Sequence, residues 1–171
     1  MREEPTTVRL SLPESHYAAI GKVAVTWTTY ERLVESSLWI LSDVSDDSGL
    51  CLTSQIPNMA RRFDALISLA IYRKINDELI KKLKKLSEHS QSLGIRRNRV
   101  IHDGWNWNIT TQTALRLEMS AQKNGLAHGF VAMHEEEVLK LVKDIVELID
   151  RFDKTINEAF SVMSPLPSTR T

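Results

Sequence analysis

Residues 76–104 read NDELIKKLKKLSEHSQSLGIRRNRVIHDG, and this stretch decides the fold. Asn76 suits a helix N-cap, and Asp77 and Glu78 place negative charge in the first turn, where the helix dipole favours it. Leu79, Leu83, Leu86, Ser90, Leu93, Arg97 and Val100 then recur at alternating spacings of four and three, which is one face of a long helix. Asp103-Gly104 ends it. A long helix with a single apolar seam has to bury that seam against other elements.

Those other elements lie on both sides. Towards the N-terminus, Ile20, Ala24, Trp27, Glu31, Val34, Leu38 and Leu41 follow the same spacing, which predicts a helix over roughly 13–43 with Pro13 in its first turn. The Asp- and Ser-rich run Ser42 to Gly49 reads as a loop. Pro57 opens a second helix with Met59, Phe63, Leu66, Ile67 and Ala70 on its apolar face. Beyond Gly104 the period changes: Leu115, Leu117 and Met119 alternate with Arg116 and Glu118, Asn124-Gly125 is a hairpin turn signal, and Leu126 to Met133 can return as the partner strand. Glu135-Glu136-Glu137 starts a last helix whose apolar face is Val138, Leu141, Val142, Ile145, Leu148, Ile149, Phe152 and Ile156. The expected fold is mainly α, an antiparallel four-helix bundle with a β-hairpin at about 107–133 inserted between the third and fourth helices. An N-terminal arm (1–12) precedes a single bundle domain (13–160), and the Pro- and Ser-rich ending (161–171) reads as a disordered tail.

Composition narrows the function classes. The 171 residues carry 22 basic and 22 acidic side chains, so overall charge gives no support to nucleic-acid binding. Locally it differs: seven basic residues and one acidic lie between Lys81 and Arg99, whereas eight acidic and four basic lie between Glu135 and Glu158. Cys51 is the sole cysteine, which excludes an intrachain disulfide and a cysteine-based zinc site, and it reads as a small buried apolar residue. No pair of histidines has the spacing of metal ligands, and no cofactor motif is present. The N-terminus leads into no signal-type apolar core, and no apolar run is long enough to span a bilayer, so the expectation is a cytoplasmic protein without membrane contact.

Chemistry concentrates in Arg96-Arg97-Asn98-Arg99-Val100-Ile101-His102-Asp103-Gly104. Arginine is a permanently charged fork that suits a phosphate, and histidine can move a proton near neutral pH. A match to Arg-Asn-x-x-x-His arises by chance in a chain this long on the order of one time in a hundred. With its place at the end of a long amphipathic helix, the segment resembles the signature of HEPN domains, small helical proteins many of which are ribonucleases or toxins. The resemblance covers the helical plan of most of the chain, and the hairpin is similar to insertions that such domains carry at this point. It implies Arg97, Asn98 and His102 as catalytic residues of a metal-independent endoribonuclease acting by attack of the ribose 2′-hydroxyl on the adjacent phosphate. In that scheme His102 shuttles the proton, Arg97 stabilises charge on the phosphate, and Asn98 orients His102. It also implies a homodimer with both motifs in one cleft, an RNA substrate, and a cognate inhibitor protein if the chain is a toxin or defence component.

The residues themselves leave alternatives open. Arg97 and His102 are five positions apart, about 140° around an ideal helix, so they do not converge on one ligand from a straight helix. A loosened helix, an arginine that wraps round, or a site shared between protomers would each reconcile them. Arg97 could equally bridge the end of the bundle, and His102 could be a helix-terminal histidine favoured by the dipole. Glu31 interrupts an apolar seam and needs a partner; Arg97, at a comparable seam position, is the natural one, as an auxiliary contact or a structural ion pair. Arg96 and Arg99 flank the motif as candidate RNA-binding residues, while the Lys81–Lys85 run reads more simply as a solvated helix face. Trp105 and Trp107 could stack on a base or cover the core. The alternative to an enzyme is a non-catalytic helical module that binds RNA, a nucleotide or a partner protein.

Overall fold

Helix signals and apolar seams turn into five helices, among residues 8–9, 11–122 and 125–165 that the computed structural model describes. In chain order these are strand β1 (Val8–Arg9), helices α1 (Glu14–Ser42), α2 (Asp46–Thr53), α3 (Met59–Tyr72) and α4 (Asp77–His102), strands β2 (Gly104–Asn108), β3 (Thr113–Gln122) and β4 (Gly125–Ala132), and helix α5 (Glu135–Val162). The protein is mainly α, as the periodicity requires. Asn76 caps α4 as expected, its Oδ1 accepting from Leu79 N at 3.0 Å. Asn58, rather than Pro57, caps α3, accepting from Arg61 N at 2.9 Å. At α5, Glu137 Oε2 reaches back to accept from His134 N at 2.8 Å.

Three expectations are corrected. The stretch read as a loop through Gly49 contains α2, because the Ser45 hydroxyl accepts from Ser48 N and Asp46 and Asp47 supply first-turn charge. Cys51 is exposed there, since α2 buries Gly49 and Thr53 instead. Gly49 packs so close to the Trp39 indole that a Cβ would lie 2.4 Å from the ring. Trp39 Nε1 donates to Thr53 Oγ1, which donates in turn to Gly49 O. The hairpin, for its part, belongs to a larger antiparallel sheet of order β1-β2-β3-β4. β2 starts at Gly104, directly after the motif, and pairs with β3 from Gly104↔Leu117 to Asn108↔Thr113. β3 and β4 pair from Leu115↔Ala132 to Gln122↔Gly125; the intervening Asn124 of the turn signal lies outside the described residues. Of the arm at 1–12, Val8 and Arg9 pair with Asn108 and Trp107. Of the tail, α5 continues to Val162, and 166–171 lie outside the described residues.

The single domain expected at 13–160 divides into two compact units, residues 1–26 with 94–144 and residues 27–93 with 145–171. No linker marks the division because each unit is assembled from two chain segments. The first unit holds the sheet and the motif. Leu12, Ala19, Val23, Val100, Ala114, Val138 and Leu141 are its buried apolar side chains, and the His16 and Trp107 rings meet edge to face at 5.8 Å.

The second unit centres on an aromatic cluster. Tyr30 meets Trp27 at 5.5 Å and Phe152 at 5.8 Å, and Phe152 meets Phe63 at 5.7 Å, all edge to face, which is the favoured aromatic arrangement. The seam of α1 therefore runs through Ala19, Val23, Trp27, Tyr30, Val34, Leu38 and Leu41, one residue ahead of the expected Ile20, Ala24 and Glu31 in its first half. Burial pushes the ionisation of the Tyr30 phenol far above its ordinary value, which keeps it neutral. The α4 seam matches the expectation closely: Leu79, Leu83, Leu86, Ser90, Leu93 and Val100 are all buried.

Candidate active site

The motif occupies the last turns of α4, and the helix continues without a break to His102. Its side chains converge all the same. Arg97 Nη1 donates to Asn98 Oδ1 at 3.0 Å and lies 3.4 Å from His102 Nε2. Of the three ways to reconcile a five-residue spacing, the long arginine side chain wraps round the helix. Arg97 is half-buried, whereas Asn98 and His102 are exposed. The Arg97 Nε is buried and finds no acceptor among the described residues. The guanidinium is thus held through Nη1 by its neighbours.

This geometry changes the role read for Asn98. Its carbonyl oxygen holds Arg97, and it reaches the imidazole only through that arginine. A guanidinium can only donate, so this contact is a hydrogen bond in the tautomer whose Nε2 carries no proton. A neutral imidazole offering Nε2 is the form that accepts a proton from a hydroxyl.

Around this triad the first unit is rich in ion pairs. Asp103 and Glu118 each bridge Arg99 and Arg116: Arg99 lies 3.7 Å from Asp103 and 3.6 Å from Glu118, and Arg116 pairs with Asp103 directly and with Glu118 at 3.6 Å. Arg99 also donates to Met119 O at 3.4 Å. Arg96 pairs with Asp144 of α5 at 2.6 Å. The two arginines read as RNA contacts are therefore engaged by carboxylates in the free protein. Arg96, Arg99 and Arg116 pair with Asp144, Asp103 and Glu118, three charges against three, so the positive charge of Arg97 is left over. The Arg99–Asp103–Arg116–Glu118 network ties the end of α4 to β3 and so fixes the residue that follows His102. Trp105 adds to this anchoring: its Nε1 donates to Val100 O at 2.9 Å.

No protein-family model, curated protein or solved structure matches this chain.

Glu31 belongs to the second unit and is half-buried, whereas Arg97 belongs to the first. The carboxylate that α1 does bury is Glu35, held by Arg62 at 2.9 Å and by Arg32 at 2.7 Å. The sequence reading passed over it because Glu35 lies beside Val34, next to the apolar seam rather than within its four-three spacing. Among the described residues, no group of three or more His, Cys, Asp or Glu side chains is placed to hold a metal ion. None of the described helices is long and apolar enough to cross a membrane.

Proposed function

We propose that this chain is a metal-independent endoribonuclease of HEPN type, with Arg97 and His102 as its catalytic residues and Asn98 positioning Arg97. The observation that carries this reading is the meeting of a guanidinium and an imidazole at 3.4 Å on an exposed helix end. When an RNA phosphate enters, Arg97 turns its donors to the non-bridging oxygens, where charge builds in the transition state. The 2′-oxygen attacks phosphorus, its proton passes to His102 Nε2, and the 5′-oxygen leaves with the proton that the imidazolium returns. The products are a 2′,3′-cyclic phosphate and a free 5′-hydroxyl. The finer architecture in this reading is an antiparallel four-helix bundle with the sheet between its last two long helices. The active form is a cytoplasmic homodimer, a toxin or defence component restrained by a cognate inhibitor.

This mechanism fixes the product ends. Cleaved RNA carries 2′,3′-cyclic phosphate termini, seen as resistance of the 3′ ends to periodate, and a substrate with a single 2′-deoxyribose at the cut position resists cleavage there. Ends bearing a 5′-phosphate and a 3′-hydroxyl would point to attack by water and end this mechanism.

One observation favours a second reading, a non-catalytic module that binds RNA, a nucleotide or a partner protein. Arg96 and Arg99 are occupied by carboxylates, so the motif region has little charge left to draw in a long polyanion. The two readings separate by condition: cleavage that changes through the range where histidines titrate marks the enzyme, and binding that responds to salt alone marks the module.

A further inference from the structure

A cavity of about 270 Å³ lies between α4 and α5 in the second unit, well away in sequence from Arg97, Asn98 and His102. Its walls are Lys82, Lys85 and Leu86 from α4 and Arg151, Lys154 and Glu158 from α5. Lys82, Lys85 and His89 follow one another at spacings of three and four, as do Arg151, Lys154 and Glu158, so each helix presents a single ridge. Contacts across the helices mark both ends: Lys82 Nζ lies 3.2 Å from Glu158 Oε2, and Arg151 Nη1 lies 3.4 Å from His89 Nδ1. These two pairs also make the helices antiparallel here.

The charge of the lining is selective. From Glu135 to Glu158 the chain has eight acidic residues and four basic ones, yet the cavity takes two of those bases and one of those acids. With Lys82 and Lys85 it faces four cations with one carboxylate. Glu78 reaches Lys82 from outside, at 3.6 Å. Lys85 and Lys154 have no carboxylate partner among the described residues. Glu158 raises the pKa of the Lys82 ammonium and so keeps it charged. Cations gathered around one small cavity repel one another unless an anion sits between them.

We propose that this cavity binds a di- or triphosphate group. Its volume lies just below the range of sites for drug-sized ligands, which starts at about 300 Å³, as suits a smaller group. Two facing ridges of cations suit a chain of phosphates better than one orthophosphate, which could meet only part of them. No aromatic side chain lines the cavity to take a base, and Leu86 is its sole large apolar contributor, so recognition is of the polyphosphate and not of a nucleoside. A free polyphosphate and the terminus of a nucleotide present the same chemistry here. This inference does not rest on the ribonuclease reading, because none of its residues belongs to the motif.

The test is calorimetric titration of the full chain at low salt with inorganic tripolyphosphate, ATP and adenosine. Tripolyphosphate and ATP bind, adenosine does not, and raising the salt weakens both complexes steeply. Each charged contact removed weakens binding by about tenfold or more. The pair Lys85→Gln and Lys154→Gln together therefore costs on the order of 100-fold, and the pair Lys85→Glu and Lys154→Glu abolishes binding. Lys22→Glu, on exposed α1 surface in the other unit, changes nothing. Equal affinity for ATP and tripolyphosphate identifies the phosphates as the whole ligand; tighter binding of ATP identifies a nucleotide as their source. Absence of tripolyphosphate binding at low salt overturns the proposal. So does adenosine binding as well as ATP, or affinity undiminished in the folded Gln pair.

Discussion

Replacing Arg97 by alanine lowers RNA cleavage by about 100- to 1,000-fold, the usual cost of removing one donor that stabilises an anionic transition state. The effect falls on turnover more than on substrate affinity, because the contact strengthens as charge builds on the phosphate. The guanidinium is already in place before substrate arrives, held by Asn98 Oδ1 and resting at His102 Nε2. Arg97→Lys restores the charge but not the planar guanidinium with its second terminal nitrogen, so it recovers only part of the rate. Asn98→Ala leaves that guanidinium without its acceptor and produces a smaller loss of the same kind. Single-turnover rates on a short RNA, with far-ultraviolet circular dichroism to establish the fold, measure all three. Activity within a few-fold of native in Arg97→Ala would remove the arginine from the reaction.

Glu35→Gln destabilises the protein by about 3–5 kcal/mol, since breaking a buried ion pair strands the remaining charge. Glu35 and Arg62 are 9% and 12% exposed at the side chain and 2.9 Å apart. Arg62 also donates through Nε to Ile56 O at 3.1 Å, which leaves its second terminal nitrogen dependent on the carboxylate. Arg32, 64% exposed, contributes little, because solvent screens it. The double replacement Glu35→Leu with Arg62→Leu is close to neutral, as an apolar pair needs no compensation. Urea unfolding of the single and double variants gives the comparison. A loss under about 1 kcal/mol for Glu35→Gln would place the pair with surface ion pairs.

Much of this was legible in the residues, for physical reasons that differ by element. The seam of α4 was readable because Leu79 to Val100 repeats without a competing pattern, and all of its aliphatic members are buried. The strands β3 and β4 were readable because a period of two is unlike a period of 3.6. β2 was not, since Gly104-Trp105-Asn106-Trp107 shows no clean alternation, and its residues are half-buried or exposed. α2 was hidden by Asp and Ser, which favour loops and helix starts alike. In α1 both Ile20/Ala24 and Ala19/Val23 have helical spacing, so the sequence offered two seams one residue apart, and the buried one has Tyr30 in the place read for Glu31.

At the candidate site, spacing singled out the residues but not their contacts. The meeting of Arg97 with His102 depends on how far a flexible side chain wraps round its own helix, which spacing alone does not determine. The occupation of Arg96 and Arg99 depends on Asp144 and Glu118, remote in sequence and brought near by folding. The cationic cavity was hidden for the same reason. Lys82 and Lys85 lie on a solvated face, as read, and Arg151 and Lys154 lie in an acidic helix; only packing shows that the four stand together.

The most direct test of the central claim is cleavage of end-labelled RNA in excess EDTA by the native protein and by His102→Ala, prepared side by side. The native protein cleaves in the presence of the chelator, and the variant, with its circular dichroism unchanged, loses activity by about 100-fold or more, as expected for a proton-transferring side chain. Equal cleavage by the two proteins, or none by the native one, would contradict the assignment of Arg97, Asn98 and His102 as a ribonuclease site.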